Sequence, residues 1–249
     1  MSEAKKFVSF WNASEGINLF FETDKSIIEE LTIKSYNKIY EFERPDFFIE
    51  FDSMIMLVEH FSFDSAKRIK KGGSLLKIEE SQKEKEYRAY VDGQHSKGVK
   101  DVSYSATYKT EISFENYESN LLKSFNEHLK FEEYKNNFTR QIKTDKLIEY
   151  AICIENTSIL PDTVYKGLEK LAVLPINSLK FLEFLSLHSE INHVFLLQRG
   201  NMTKRHIFYF SNIEENIEKL KNGKIIDESY IFIDWKPHTL GFSSIIPKG

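Results

Sequence analysis

The sequence predicts an α/β (or α+β) protein, a mixed central sheet flanked by helices, and three observations lead there. Helical and extended apolar patterns alternate along the 249 residues. The 10 Gly and 5 Pro are roughly half the usual share, so loops should be few and elements long. The 21 Phe and 12 Tyr supply the bulky side chains that fill a core between layers. No Pro/Ser-rich linker divides the chain, and 1–249 reads as a single domain. Within it lie a core at 24–155, a charged insertion or lid at 65–110, and a C-terminal extension at 156–249 that completes the sheet.

Taken in order, a short apolar segment at 7–11 precedes a helix over 24–40, where Ile27, Ile28, Leu31, Ile33, Tyr36 and Ile39 fall near helical spacing and Ser26 and Glu29 stand in capping-box register. Pro45 ends the connection. Two apolar runs, 47–51 and 54–63, flank Asp52-Ser53 and read as a hairpin. Residues 65–110 change character, with Gly72-Gly73, Gly93 and Gly98 punctuating a charged stretch of little apolar periodicity. Between 114 and 138, Tyr117, Leu121, Leu122, Phe125, Leu129 and Phe131 fit one long amphipathic helix that should cover the sheet. Residues 147–154 read as a buried strand and 178–187 as a short helix. The runs 193–198 and 205–210 form a strand pair around Arg199-Gly200-Asn201, and 230–235 reads as a final strand.

Composition narrows the partners. The lone cysteine, Cys153, sits in an apolar run and reads as core. The first residues lack an apolar leader, and the longest strongly apolar run, 54–58, is far too short to cross a bilayer. The expectation is a cytoplasmic protein with no membrane partner, and abundant Phe, Ile, Lys and Asn point to an AT-rich bacterial or phage genome. The net charge of −4 argues against nonspecific polyanion binding by the whole chain. Residues 65–100, however, carry ten Lys or Arg against five Asp or Glu, a net +5 that leaves the remainder at −9. Such a strip is either a mixed solvated helix or a track for nucleic acid.

The chemistry concentrates in 44–64, RPDFFIEFDSMIMLVEHFSFD. Asp46 follows Pro45, and Glu59 stands thirteen residues on in the second strand of the hairpin, so pairing brings the two carboxylates together. Clustered carboxylates raise each other's proton affinity unless a cation separates them, which makes the pair a candidate Mg²⁺ or Mn²⁺ site. Glu155, at the end of the 147–154 strand, is the candidate third ligand. A metal there would polarise a phosphoryl oxygen and acidify a bound water.

With these residues in view, the segment resembles the PD-(D/E)XK, or restriction-endonuclease-like, nuclease superfamily. There a helix leads into a hairpin carrying Asp after Pro and then Asp/Glu-x-Lys, followed by a helix and another strand. Pro45-Asp46 and Glu59 match, and the elements over 24–155 follow that order. The resemblance implies a restriction-endonuclease-like core and metal-dependent hydrolysis of nucleic acid, with Asp46 and Glu59 catalytic. One departure stands out: the motif's lysine falls at Phe61. Lys67, Arg68, Lys70 and Lys71 follow the hairpin and are the candidate phosphate contacts, one of which would reach back. His60, next to Glu59, should point to the opposite face.

Other constellations are weaker. A literal Asp-x-Lys, Asp234 to Lys236, comes too near the end of the sequence for a following helix and strand, and Pro161-Asp162 lies far upstream of it. No zinc, Walker, dinucleotide or Gly-x-Ser-x-Gly pattern is present. The expectation is therefore a metal-dependent nuclease. Its rival, favoured by Phe61, is an inactive nuclease-like scaffold that binds nucleic acid or protein.

Overall fold

Met54–Phe63 and Leu147–Asn156 each carry long apolar runs, Met54 to Val58 and Tyr150 to Ile154, the pattern of strands covered on both faces. The computed structural model, which describes residues 2–34, 38–69, 74–99, 101–108, 112–158, 163–199, 205–232 and 238–245, has them side by side and parallel, Met54 opposite Leu147 through Phe63 opposite Asn156. They are β4 and β6 of a mixed seven-stranded sheet ordered β1-β10-β9-β6-β4-β3-β2 among the described residues. The others are β1 (Ser14–Leu19), β2 (Ile39–Glu41), β3 (Phe47–Glu50), β9 (His193–Arg199) and β10 (Arg205–Ser211). The centre, β4, β6 and β9, is parallel. Both flanks turn antiparallel, β3 and β2 on one side and β10 on the other, with β1 parallel to β10.

The chain divides into two compact units, 1–64 with 118–231 and 65–117 with 232–249, where the sequence reads as a single domain with an insertion. The first holds the sheet. On one face lies α1 (Glu3–Asn12), started by Ser2, whose hydroxyl accepts the Lys5 N–H, and burying Ala4, Phe7 and Phe10 at helical spacing. Phe7 meets Phe47 and Phe195 at centroid distances of 5.2 and 5.8 Å. Each such ring taken from water contributes about 1.5–3 kcal/mol. Cys153 is fully buried on this face, and burial raises its thiol well above the ordinary range, which fits a core residue.

The other face is covered by α4 (Phe114–His128) and α5 (Phe131–Gln141). The one long helix expected over 114–138 is thus two. Lys130 adopts φ −135° and ψ 42°, and the break lets Phe131 pack on Tyr150 and Phe138 on Phe48 at 4.9 and 5.0 Å. A continuous helix would carry those rings off the sheet. Next come α2 (Lys25–Lys34), the hairpin of β7 (Thr163–Lys166) and β8 (Glu169–Ala172), α6 (Leu179–Ser186), capped by the Ser178 hydroxyl, and α7 (Glu214–Lys221). Strand β11 (Ile231–Phe232) begins one residue later than the strand expected at 230–235, and residues 233–235 lie outside the described residues.

The second unit contains α3 (Leu75–His95) and β5 (Asp101–Tyr108), paired antiparallel with β12 (His238–Ile245). The expected lid therefore holds an eight-residue strand and a 21-residue helix. Few apolar positions mark it because charge pairs, Lys83 with Glu86 at 2.8 Å and Glu84 with Arg88, support its exposed faces. Tyr87 and Tyr90 rest on Tyr104 of β5. Among the described residues no helix is long and apolar enough to cross a membrane.

Candidate active site

The hairpin register sets the site. Phe47 pairs with Val58, so Asp46, one step before β3, stands about level with Glu59 beside the strand edge. Half-buried, Asp46 extends the ladder with its side chain: Oδ2 accepts the His60 backbone N–H at 2.8 Å. Burial first, and then the Glu59 carboxylate, raise the proton affinity of Asp46 above the ordinary aspartate range, against the pull of that hydrogen bond. The two acids therefore feel one another.

Glu59 is buried, and its Oε1 lies 2.7 Å from Nδ1 of His128, the last residue of α4. The imidazole stacks on Phe61 with centroids 5.4 Å apart and planes 24° from parallel. Phe61 in turn meets the edge of Phe125, also from α4, at 5.7 Å. The aromatic ring at the motif's lysine position is thus a platform for a histidine delivered by the helix above it. Tyr134 of α5 donates its O–H to the His128 carbonyl at 2.9 Å, fixing the turn between the helices. Burial, followed by the nearby Glu59 and Asp46 carboxylates, holds the Tyr134 phenol far above its ordinary value, so it stays a hydrogen-bond donor.

Glu155 does not join this group. The parallel register aligns it with Ser62 rather than Glu59, which turns it to the opposite face, where its Oε2 lies 3.5 Å from Nε2 of His60. His60 points there as strand alternation requires, with Nδ1 2.7 Å from Glu3 Oε2 of α1. The three carboxylates expected around one ion are split two and one by the pleat. Among the described residues, no group of three or more His, Cys, Asp or Glu is arranged to hold a metal ion.

Lys67 is exposed and Arg68 half-buried, both in the second unit. Lys70, Lys71 and Gly72-Gly73 lie outside the described residues, as do Pro161-Asp162 and Asp234 to Lys236. His128 and Tyr134 were not read from the sequence as site residues. The available signal was a histidine ending an amphipathic helix, which has no local motif to single it out. Comparisons with protein-family models, curated proteins and solved structures return no match for this chain.

Proposed function

We propose that the chain is a metal-dependent nucleic-acid hydrolase built on a restriction-endonuclease-like core. The observation that carries this reading is the closeness of Asp46 and Glu59 across the hairpin, with His128 2.7 Å from Glu59. The order of elements supports it. Helix α2 leads into the β2-β3-β4 meander, α4 and α5 follow, and β6 returns parallel to β4. Hard oxygen donors suit Mg²⁺ or Mn²⁺, and Mg²⁺ sites commonly take one or two protein carboxylates, with water and phosphate oxygens completing the shell. Asp46 and Glu59 would hold the ion, with Asp46 also accepting from the His60 backbone and Glu59 from His128. When bound, the ion supplies charge to the phosphoryl oxygens and acidifies a water.

The residues of the chain divide the rest of the work. Nδ1–H of His128 donates to Glu59, a tautomer assigned from the hydrogen bond, and this turns Nε2 outward as a proton acceptor for the attacking water. Phe61 fixes the ring plane. His128 thus supplies the proton-handling group that Phe61 cannot. The test is incubation of DNA and RNA with the purified chain and Mg²⁺ or Mn²⁺. Cleavage is expected, lost in Asp46→Ala and Glu59→Gln and slowed about 10²–10⁴-fold in His128→Ala. Intact nucleic acid, or cleavage indifferent to Glu59→Gln, would overturn the proposal.

A second reading rests on Phe61, only 3% exposed, which seals the position a lysine would take. It makes the chain a noncatalytic nuclease-like scaffold that binds nucleic acid. Salt-dependent DNA binding without turnover, abolished by charge reversal at Lys67, Lys70 and Lys71, distinguishes it.

A further inference from the structure

The turn that carries Asp46 is gripped by α5. Phe42 N–H donates to the Asp46 carbonyl at 3.2 Å and closes the turn. At its tip Arg44 has φ 62°, in the left-handed region, and glycines apart it is alone in this among the described residues. A non-glycine residue stays there only where its surroundings hold it, and such outliers gather at binding sites. Two side chains one turn apart on α5 do the holding. Asn137 Nδ2 donates to the Arg44 carbonyl at 3.4 Å, and Arg44 Nη1–H donates to Glu133 Oε1 at 2.9 Å. The Arg44 side chain is still 65% exposed, and a guanidinium has five N–H donors, so Glu133 aims the cation without using it up. An exposed pair of this kind is weak and yields to a stronger anion.

A second cation stands beyond the other end of the group. Lys130 comes two residues after His128, in the break between α4 and α5, where its N–H donates to the His128 carbonyl at 3.1 Å and its carbonyl accepts the Tyr134 N–H at 3.0 Å. It is exposed and, among the described residues, enters no ion pair. Two residues of chain span at most about 7 Å, so Arg44 stays close to Asp46 and Lys130 close to His128. One cation would serve a single phosphate, whereas cations beyond both ends of the group suit a strand of them. Glu59 itself is recessed, its side chain 9% exposed against 35% for His128. A narrow, bendable strand reaches such a group, while duplex DNA, with a persistence length of about 50 nm, is too stiff to bend into it.

We propose that Arg44 and Lys130 hold the phosphates on either side of the one addressed by Asp46 and Glu59, so that a single nucleic-acid strand runs from the 42–46 turn to the α4–α5 junction. This rests on the reading of Asp46 and Glu59 as the place where a phosphodiester is held. It names the substrate as single-stranded and puts its contacts on residues of the first unit rather than on Lys67 to Lys71.

The test is fluorescence anisotropy of a labelled single-stranded DNA oligonucleotide with the full chain, in EDTA and at rising salt. The parent should bind, with an affinity that falls as salt rises, and should bind the matching duplex more weakly. Arg44→Ala and Lys130→Ala should each weaken binding severalfold and make the log–log salt slope shallower by about 0.7, the value for one phosphate contact on a single strand. Glu133→Gln should tighten binding by releasing the guanidinium, and Lys219→Ala, a cation on α7, should change nothing. Arg44 and Lys130 are separate exposed positions, so one variant keeps the test decisive even where the other folds poorly. No salt-dependent binding, a duplex bound as tightly as the single strand, or an unchanged slope in both alanine variants would overturn the proposal. Because EDTA removes the need for turnover, failure of the hydrolase reading shows separately, as a strand bound through Arg44 and Lys130 yet left intact with Mg²⁺.

Discussion

Two histidines on the same face of the sheet, His193 and His60, are each buried beside acidic groups, yet only one is fully satisfied. His193, at the start of β9, has Nε2 2.6 Å from Glu149 and Nδ1 2.8 Å from the Tyr209 hydroxyl. Tyr209 continues to Ser211 at 3.2 Å, and Ser211 gives its O–H and N–H to Asp24 at 2.7 and 3.0 Å. His60, towards the other end of the parallel strands, has a buried nitrogen left over and a cleft beside it. A closed network ties β6, β9, β10 and the turn before α2 together, and its worth is stability. An open one leaves a buried nitrogen unsatisfied and costs stability.

The sharpest way to break this comparison is to replace each ring with leucine. His193→Leu removes the imidazole from the Glu149 carboxylate and leaves the Tyr209 hydroxyl with Ser211 alone, and should cost about 2 kcal/mol. His60→Leu should stay within about 1 kcal/mol of the parent. Urea unfolding measures both, and equal losses would erase the distinction.

A smaller effect separates the acids by sign. The His193 hydrogen bond, opposed by burial, holds Glu149 below the ordinary glutamate range. Its contribution is therefore present above that range and lost as pH falls through the lowered value. Asp46 runs the other way. With its proton affinity raised, its contribution is present below the ordinary aspartate range and lost as pH rises through the raised value. Unfolding titrations should give Glu149→Gln a shallower acid decline than the parent and Asp46→Asn a relative gain towards neutral pH, each under about 1 kcal/mol for partly screened groups. Matching slopes of the same sign would contradict the assignment. The smallest change, Ser211→Ala, removes one hydroxyl from the closed network and should cost about 1 kcal/mol in the same assay.

The same contrast explains what the sequence made legible. Strands β4 and β6 and the serine cap of α6 are written locally, as apolar runs and a hydroxyl before a helix. Strand β1, SEGINL, carries too few apolar residues to announce itself, and α3 hides its period beneath paired charges. Within the site, the meeting of Asp46 and Glu59 follows from a short hairpin whose register the turn fixes. Glu155 illustrates the limit. Its strand was recognisable, but the face it presents depends on a parallel register with β4, and one residue of slip reverses that face. His128 is joined to Glu59 across 69 residues, a contact that only tertiary packing creates.

The account turns on whether Asp46 and Glu59 share a divalent ion, and calorimetric titration of the full chain with Mn²⁺ asks this without needing a substrate. The parent chain should show a saturable site that is lost in Glu59→Gln and in Asp46→Asn, both of which keep the size of the side chain. Absence of a saturable site, or binding unchanged in either variant, would contradict it.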